Sequence, residues 1–461
     1  MSAGGGSTLW FPTALLPMGW ARDVRITITG GLISAVERGV EPAPGEEGGG
    51  IALPGIANVH SHAFQRAMAG LTEAREPATG GARDDFWSWR ALMYRFLDRG
   101  GPEEIEAITA LAFMEMLEGG FTRVAEFHYL HNDPAGAAYG DHGELAGRIV
   151  AAAQATGIGL TLLPVYYAHA GFGGLPPTPG QRRFITDVDG FADLVECSRS
   201  LVAGLEDGIV GVAPHSLRAA TPEELALVAP LARQGPVHIH VSEQMQEVAD
   251  CLAWSGARPV EWLLDHAPVD PRWCLIHATH VTEAEYRGIA AHGAVVGLCP
   301  ITEANLGDGI FPAVDYRAAG GRIGIGTDSN VQIGVAEELR MLEYSQRLSL
   351  RGRAMMADVG GSTGRALFDA ALAGGGQATG ALTGLAVGMP ADIVTLGEEH
   401  IAFAGRQDDA VLDSWIFGAP RDAIASVWRR GREVVAEGRH TARPAIEARY
   451  RRALSKVLEW A

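Results

Sequence analysis

The sequence predicts an α/β fold: a (β/α)8 barrel of the TIM type, carrying a small composite β-sandwich domain built from both ends of the chain. Three observations predict it. The middle of the chain alternates eight continuous apolar runs with helical stretches. Continuous runs suit parallel strands buried on both faces, and eight strand–helix units close a barrel. The two ends instead read as short alternating strands with glycine turns. No G-x-G-x-x-G follows the first apolar run, which counts against the competing doubly wound sheet.

The elements follow in chain order. Residues 8–40 hold short strands: Arg25-Ile-Thr-Ile-Thr29 alternates, Gly30-Gly31 turns, and Leu32-Ile-Ser-Ala-Val36 returns. A Pro/Glu/Gly loop occupies 41–50. Barrel strands are expected at 51–59, 123–127, 159–166, 209–213, 237–241, 273–278, 294–298 and 322–326. Among the helices between them, 102–118 opens on Pro102 and two glutamates and stops at Gly119-Gly120. Near the end, Gly388-Met-Pro-Ala-Asp-Ile-Val-Thr-Leu396 and Ile424-Ala-Ser-Val-Trp428 return to short strands and tight turns. The expected division is residues 1–53 and 383–461 for the sandwich, with a C-terminal helix, and 54–382 for the catalytic barrel.

Composition narrows the function. The 461 residues suit a large barrel plus a satellite, and 47% hydrophobic with 20% charged residues fits a packed globular protein. A formal net charge of −18 disfavours nucleic acid and anionic membrane as partners. The only lysine is Lys456. Schiff-base chemistry, a P-loop and a lysine carbamate bridging two metals are therefore not expected. Cys197, Cys251, Cys274 and Cys299 are widely spaced, as free thiols in a reducing cytoplasm would be. The N-terminus has no basic region followed by a long apolar core, and no apolar run reaches transmembrane length, so a cytoplasmic location is expected.

A barrel places its chemistry at the C-terminal ends of its strands. The expected first strand ends His60-Ser-His62, the fourth Pro214-His215-Ser-Leu-Arg218, and the fifth runs His238-Ile-His240-Val-Ser-Glu243. The sixth ends His277-Ala-Thr-His280 and the eighth Thr327-Asp328-Ser329. Residues two apart on a strand share a face, so His60 and His62 can chelate one ion. The competing reading is a pair of structural histidines; matching groups at other strand ends favour ligation. Of His238 and His240, the strand-end position favours His240, with His238 packed behind it. Three histidines and Asp328 leave a coordination position for water, a set that suits zinc, with Fe2+ or Mn2+ also able to fit. Zinc would bring the pKa of its water toward ~7, and Asp328 could take that water's proton. Glu243, otherwise an ordinary loop carboxylate, is placed to move a proton to a leaving nitrogen, and His277, otherwise structural, to hold the attacking water.

These residues resemble the amidohydrolase superfamily: H-x-H after the first strand, H-x-x-E after the fifth, histidine after the sixth and aspartate after the eighth. The composite β domain and Gly388-Met-Pro-Ala-Asp-Ile-Val carry the resemblance over almost the whole chain. With no lysine available to bridge two metals, the chain resembles the mononuclear deaminase branch, with one ion per subunit. Longer segments are similar to the formimidoylglutamate deiminases: His60-Ser-His-Ala-Phe-Gln-Arg-Ala, Asp85-Phe-Trp-Ser-Trp-Arg90, Glu126-Phe-His-Tyr-Leu-His131, Ala213-Pro-His-Ser-Leu-Arg-Ala and Thr302-Glu-Ala-Asn-Leu-Gly-Asp-Gly-Ile-Phe-Pro. That resemblance implies hydrolysis of N-formimino-L-glutamate to N-formyl-L-glutamate and ammonia, in histidine degradation. It implies His60, His62, His240 and Asp328 as metal ligands and Glu243 and His277 as the catalytic pair. It also implies Gln65, Arg90, Tyr129, His215 and Arg218 as substrate contacts.

Physical chemistry bears on the implied substrate. A dicarboxylate approaching an acidic protein needs local cations, and Arg90 and Arg218 could each grip one carboxylate through paired bonds. Arg90, beside Phe86-Trp-Ser-Trp89, could equally be a solvated arginine against an aromatic cluster. For Tyr129 and Gln65, substrate contact and ordinary packing stand level. The nearest rival is another mononuclear zinc deaminase acting on a guanine-, cytosine- or adenosine-type base, which would want a stacking surface instead of two arginine clamps. A dead barrel serving as a scaffold should have lost ligands, and none is lost here. The resemblance further implies a homodimer.

Overall fold

The structure, a computed structural model, describes residues 6–73 and 86–458. Asp85 lies outside the described residues, as do the side chains of Trp87 and Ser88. Parallel strands form the barrel in sequence order: Ile56–Ser61, Phe121–His128, Gly159–Tyr166, a fourth strand in two pieces, Val237–Val241, Trp273–His277, Val295–Leu298 and Arg322–Ile325. The last pairs with the first through Ile325 and Asn58. Bridges from Val212 to Val237 and from Ser216 to His240 join the fourth to the fifth, so the ring closes. Every residue of the second, third, fifth and sixth strands is buried, including the polar Arg123, Glu126, His238 and His240.

Two strands differ from expectation. The run 51–59 is not one strand. Ile51–Pro54 belongs to the terminal sheet, paired with Ile393–Leu396, and only Ile56–Ser61 enters the barrel. The chain crosses between sheets at Gly55, where a Cβ would come within 2.2 Å of Thr122 Oγ1. Only glycine allows that approach. The fourth strand, expected over 209–213, is divided into Ile209–Val210 and Ala213–Pro214. Gly211 still donates to Leu162 on the third strand, whereas Val212 already donates to Pro236 at the start of the fifth. The strand changes partner there, and Pro214 has no N–H with which to continue the ladder.

Among the described residues, the chain ends build one nine-stranded sheet. Its seam is the antiparallel pair Ile51–Pro54 and Ile393–Leu396. The sheet curls so that Phe11 from one end meets Trp428 from the other edge-on, 5.9 Å between ring centres. Leu9, Val24, Ile26, Leu385 and Ile393 fill the core between them. Arg123 of the barrel and Arg429 of the sheet both bind Asp207, at 2.7 and 2.6 Å, and Arg429 also pairs with Asp392.

The helix Pro102–Glu118 begins and ends where its proline start and glycine stop predict. The C-terminal helix Arg443–Leu458 is tied to it by Arg443 on Glu118 and by Lys456 on Glu104, the latter at 2.5 Å. The lone lysine is thus engaged by a carboxylate of the helix Pro102–Glu118. All four cysteines are free, and among the described residues no helix is long and apolar enough to cross a membrane.

Candidate active site

The strand ends converge on one point. His60 Nε2 lies 3.2 Å from His62 Nε2 and 3.0 Å from His240 Nε2. Asp328 Oδ1 lies 3.5 Å from His60 Nε2 and 3.4 Å from His62 Nε2. Backbone carbonyls fix two of the rings: His62 Nδ1 donates to Phe127 and His240 Nδ1 to His215, each at 3.0 Å. That tautomer turns a bare Nε2 toward the centre. Burial pushes the His60 imidazole down to about 3 and lowers His62 and His240, so all three are neutral at ordinary pH. Burial alone would raise Asp328, but contact with His60, then His62 and His277, outweighs it and holds the carboxyl ionised. Three neutral imidazoles and one carboxylate, with lone pairs turned on a single point, are the donor set of a divalent cation site, and the residues fit one.

His238 is placed differently. It is buried one step deeper in the barrel, its Nε2 donating to the Ala378 carbonyl at 2.7 Å.

Beside the four convergent groups, His277 sits among carboxylates. Its Nε2 lies 3.8 Å from Asp328 Oδ2 and 3.9 Å from Glu243 Oε1, and its Nδ1 lies 3.2 Å from Glu303 Oε1. Burial favours the neutral ring, yet Glu243, Glu303 and Asp328 together raise it to about 10. His60, His277 and Asp328 also lie close enough to share an ion, and the carboxylates around His277 set it apart from the other three rings. Burial raises the Glu243 carboxyl to about 7, where it can give or take a proton near neutrality.

The backbone at these strand ends is strained. Ser242, His277, Ala278 and Asp328 all have positive φ, between 45° and 66°. Around Asp328 the strain is held by Asn330, whose Nδ2 donates to the Ser61 hydroxyl and to the carbonyls of His62 and Asp328. Thr327 in turn donates to Asn330 Oδ1 at 2.6 Å. Glu126 accepts from the Ala63 N–H at 2.8 Å and so fixes the turn just past His62.

A narrow cavity of about 50 Å³ opens onto this centre. Gln65, Arg90, Tyr129, His215 and Arg218 all line it, together with His62, His240, Glu243, His277 and Asp328. Gln65 Nε2 donates to the Tyr129 hydroxyl at 2.9 Å, and its buried Oε1 has no partner among the described residues. Arg90 sits on the helix Phe86–Leu97, its guanidinium 6.0 Å from the Phe86 ring centre and 5.8 Å from that of Tyr94. Arg218 lies 3.9 Å from Glu243 and 3.8 Å from Glu247.

Several lining or supporting residues were not expected from sequence. Tyr167 directly follows the third barrel strand, so the strand-end rule could have marked it. Glu303 stood unassigned within the segment starting at Thr302. Tyr94 and Met93 follow Arg90 by one helical turn, a relation visible only once that stretch is known to be a helix. Glu247 follows Glu243 by four residues and gave no signal of its own.

Comparison with known proteins agrees with this arrangement. The amidohydrolase family model matches residues 51–434, and the N-terminal domain model of formimidoylglutamate deiminase HutF matches residues 11–50. A formimidoylglutamate deiminase from Pseudomonas aeruginosa is 49% identical over 98% of this chain and 99% of its own length. A 5-methylthioadenosine/S-adenosylhomocysteine deaminase from Natronomonas pharaonis is 29% identical over 78% of this chain and 79% of its own. The crystal structure of an amidohydrolase from Brucella melitensis superposes with a TM-score of 0.94 at 52% identity, covering 98% of this chain and all of that one. On a match through the whole barrel and near end-to-end pairing with one half-identical enzyme, the chain belongs to the amidohydrolase family, among its formimidoylglutamate deiminases.

Proposed function

We propose that the protein is a hydrolase of linear amidines that converts N-formimino-L-glutamate and water to N-formyl-L-glutamate and ammonia, in histidine degradation. The observation that carries the reading is one cavity lined by two guanidinium groups, Arg90 and Arg218, and by the acid–base groups Glu243, His277 and Asp328. A dicarboxylate fits the first pair, and a hydrolysable C–N group fits the second set.

His60, His62, His240 and Asp328 would hold one divalent ion per subunit. Zinc suits a set of three nitrogens and one carboxylate oxygen, and Fe2+ or Mn2+ are the alternatives. When bound, the ion would lower the pKa of water and so supply a nucleophile near neutral pH. The protein's own groups do the rest. Asp328, ionised and turned toward His277 through Oδ2, takes a proton from the attacking water. His277 donates from Nε2 to the oxygen of the attacking water as it bonds to the formimidoyl carbon. Glu243 protonates the imino nitrogen as water adds, and on collapse the hydroxyl proton and the proton held by Asp328 together restore Glu243 and convert the amino group to ammonia, which leaves. Arg218 and Arg90 grip the substrate carboxylates. Gln65 Oε1, a buried acceptor without a partner among the described residues, would accept from a substrate N–H. Tyr129 and His215 close the cavity wall beside it.

The acidic charge argues against nucleic acid as a partner, and free cysteines fit a cytoplasmic enzyme. A homodimer is part of the same proposal.

One observation favours a second reading, deamination of a purine nucleoside or base: Trp89, Tyr94, Tyr129, Tyr167 and Phe184 also line the cavity. Against it, Tyr129 stands edge-on to Phe184 at 4.8 Å and Tyr167 tilts onto His215 at 4.5 Å, so these rings already pack against one another. Ammonia release from N-formimino-L-glutamate, 5-methylthioadenosine, S-adenosylhomocysteine, 8-oxoguanine, guanine and cytosine decides between them. The proposal expects kcat/KM above about 10⁴ M⁻¹s⁻¹ for the first compound alone. Turnover of a base or nucleoside, with none of N-formimino-L-glutamate, would overturn it.

A further inference from the structure

The turn that carries Glu243 is sharp. Ser242, which ends the fifth barrel strand's run into the site, has φ 53°, a region that residues bearing a side chain seldom occupy. Something must hold it. Glu247, in the first turn of the helix Met245–Ser255, is fully buried. Its Oε1 accepts from the Ser242 N–H at 3.1 Å and its Oε2 from the Glu243 N–H at 3.3 Å. The same Oε2 lies 3.8 Å from Arg218 Nη2, and that nitrogen lies 3.9 Å from Glu243 Oε2. One buried carboxylate therefore contacts the backbone of the acid–base residue and the guanidinium on the opposite side of it.

The ordinary reading of such a glutamate is a helix cap. A capping-box glutamate reaches back to the residue just before its helix, here Gln244. Glu247 instead reaches past Gln244 to two successive amides within the site, and its side chain has no exposure through which water could satisfy it. The compensation for burying this charge is drawn from site components alone.

We propose that Glu247 is a positioning residue, which holds the Glu243 carboxyl and the Arg218 guanidinium in one frame so that a carboxylate bound by Arg218 presents its C–N carbon to Glu243 in register. The inference rests on the roles given above to Arg218 and Glu243. It makes Glu247 part of how the enzyme selects substrates with a carboxylate at a fixed distance from the reacting carbon, although Glu247 touches no substrate atom.

A double-mutant cycle in the metal-loaded holoenzyme tests it: Glu247→Gln, Glu243→Gln and the pair, each with kcat, KM, metal content and thermal midpoint. Glutamine keeps the volume but offers one acceptor oxygen to two amides and turns an NH2 toward the other donors. Glu247→Gln should keep its metal and lose kcat by about 100-fold, more than KM changes. In the Glu243→Gln background the same substitution should cost less than about threefold, because there is no longer a carboxyl to position. A cap acting on stability alone predicts a lower midpoint with kcat per loaded enzyme within about threefold of the unaltered protein, or a loss that multiplies in the pair, and either result overturns the proposal.

If Glu247→Gln does not fold, amide exchange in the unaltered holoenzyme decides. The Ser242 and Glu243 amides should be protected by about 10³-fold or more, and exchange at open-loop rates would overturn the inference. That arm needs no substrate, so a protein that releases no ammonia from N-formimino-L-glutamate would sink the functional reading while leaving the positioning role independently decided.

Discussion

Glu303 Oε1 lies 3.2 Å from His277 Nδ1 and also accepts the Cys299 N–H at 2.9 Å. The carboxylate is thus anchored by backbone before it meets the imidazole, and it fixes which ring nitrogen of His277 faces the cavity. Glu303→Ala should lower kcat about 10- to 100-fold with metal content retained, and Glu303→Gln, which keeps an acceptor, should recover part of the loss. Steady-state kinetics with elemental analysis checks this; equal activity of the two variants would mean the acceptor is unimportant.

Glu243 is raised to about 7 by burial and stands 3.9 Å from His277 Nε2. Glu243→Gln should keep its metal and lose 10²- to 10⁴-fold in kcat, roughly the value of positioned proton transfer. Near-normal turnover in this variant would remove the glutamate from the chemistry.

Arg90 lines the cavity from the helix Phe86–Leu97. If it holds a substrate carboxylate, Arg90→Leu should raise KM by roughly 10- to 100-fold, the worth of a charge-assisted hydrogen bond of about 1.5–3 kcal/mol. Metal content should not change. An unaltered KM for N-formimino-L-glutamate would return Arg90 to the aromatic cluster it rests on.

Away from the site, Asp207 joins barrel to sheet through Arg123 and Arg429. Burial works against its charge, but the guanidinium groups of Arg429 and Arg123 outweigh it and hold the carboxyl below its usual range. A depressed carboxyl contributes stability that is fully present above its unfolded pKa, near ~3.9, and is lost as pH falls through the lower folded value. Asp207→Asn should therefore destabilise by about 3 kcal/mol at pH 7, measured by denaturant unfolding, and the difference from the unaltered protein should shrink below about pH 4. A pH-independent difference would mean that the loss comes from packing and not from the charge.

The barrel was legible because its strands are buried on both faces, so most leave a largely apolar run, and the reactive residues stand at or near the ends of those runs. His60, His62, His240 and Asp328 could be read that way, since strand-end position and residue type together imply convergence. What local pattern did not carry was where one sheet hands over to another. At Gly55 the apolar run continues through the crossing, and only the strand pairing on either side and the approach of Thr122 reveal it. Supporting residues were equally silent. Asn330 and Glu247 act by hydrogen bonds to backbone far away in sequence or around a strained turn, and a single polar residue looks the same in sequence whether or not it has such partners. Tyr94 and Met93 reach the cavity only because their stretch is helical.

The central claim is that three imidazoles and one aspartate, from strands far apart in the chain, hold a single cation. Elemental analysis of the purified protein beside His240→Ala and Asp328→Ala tests it most directly. The account predicts close to one divalent ion per chain in the unaltered protein, with binding in each variant weakened so far that the ion is lost on dialysis. A protein that carries no ion and still hydrolyses its substrate, or variants that keep a full complement, would contradict it.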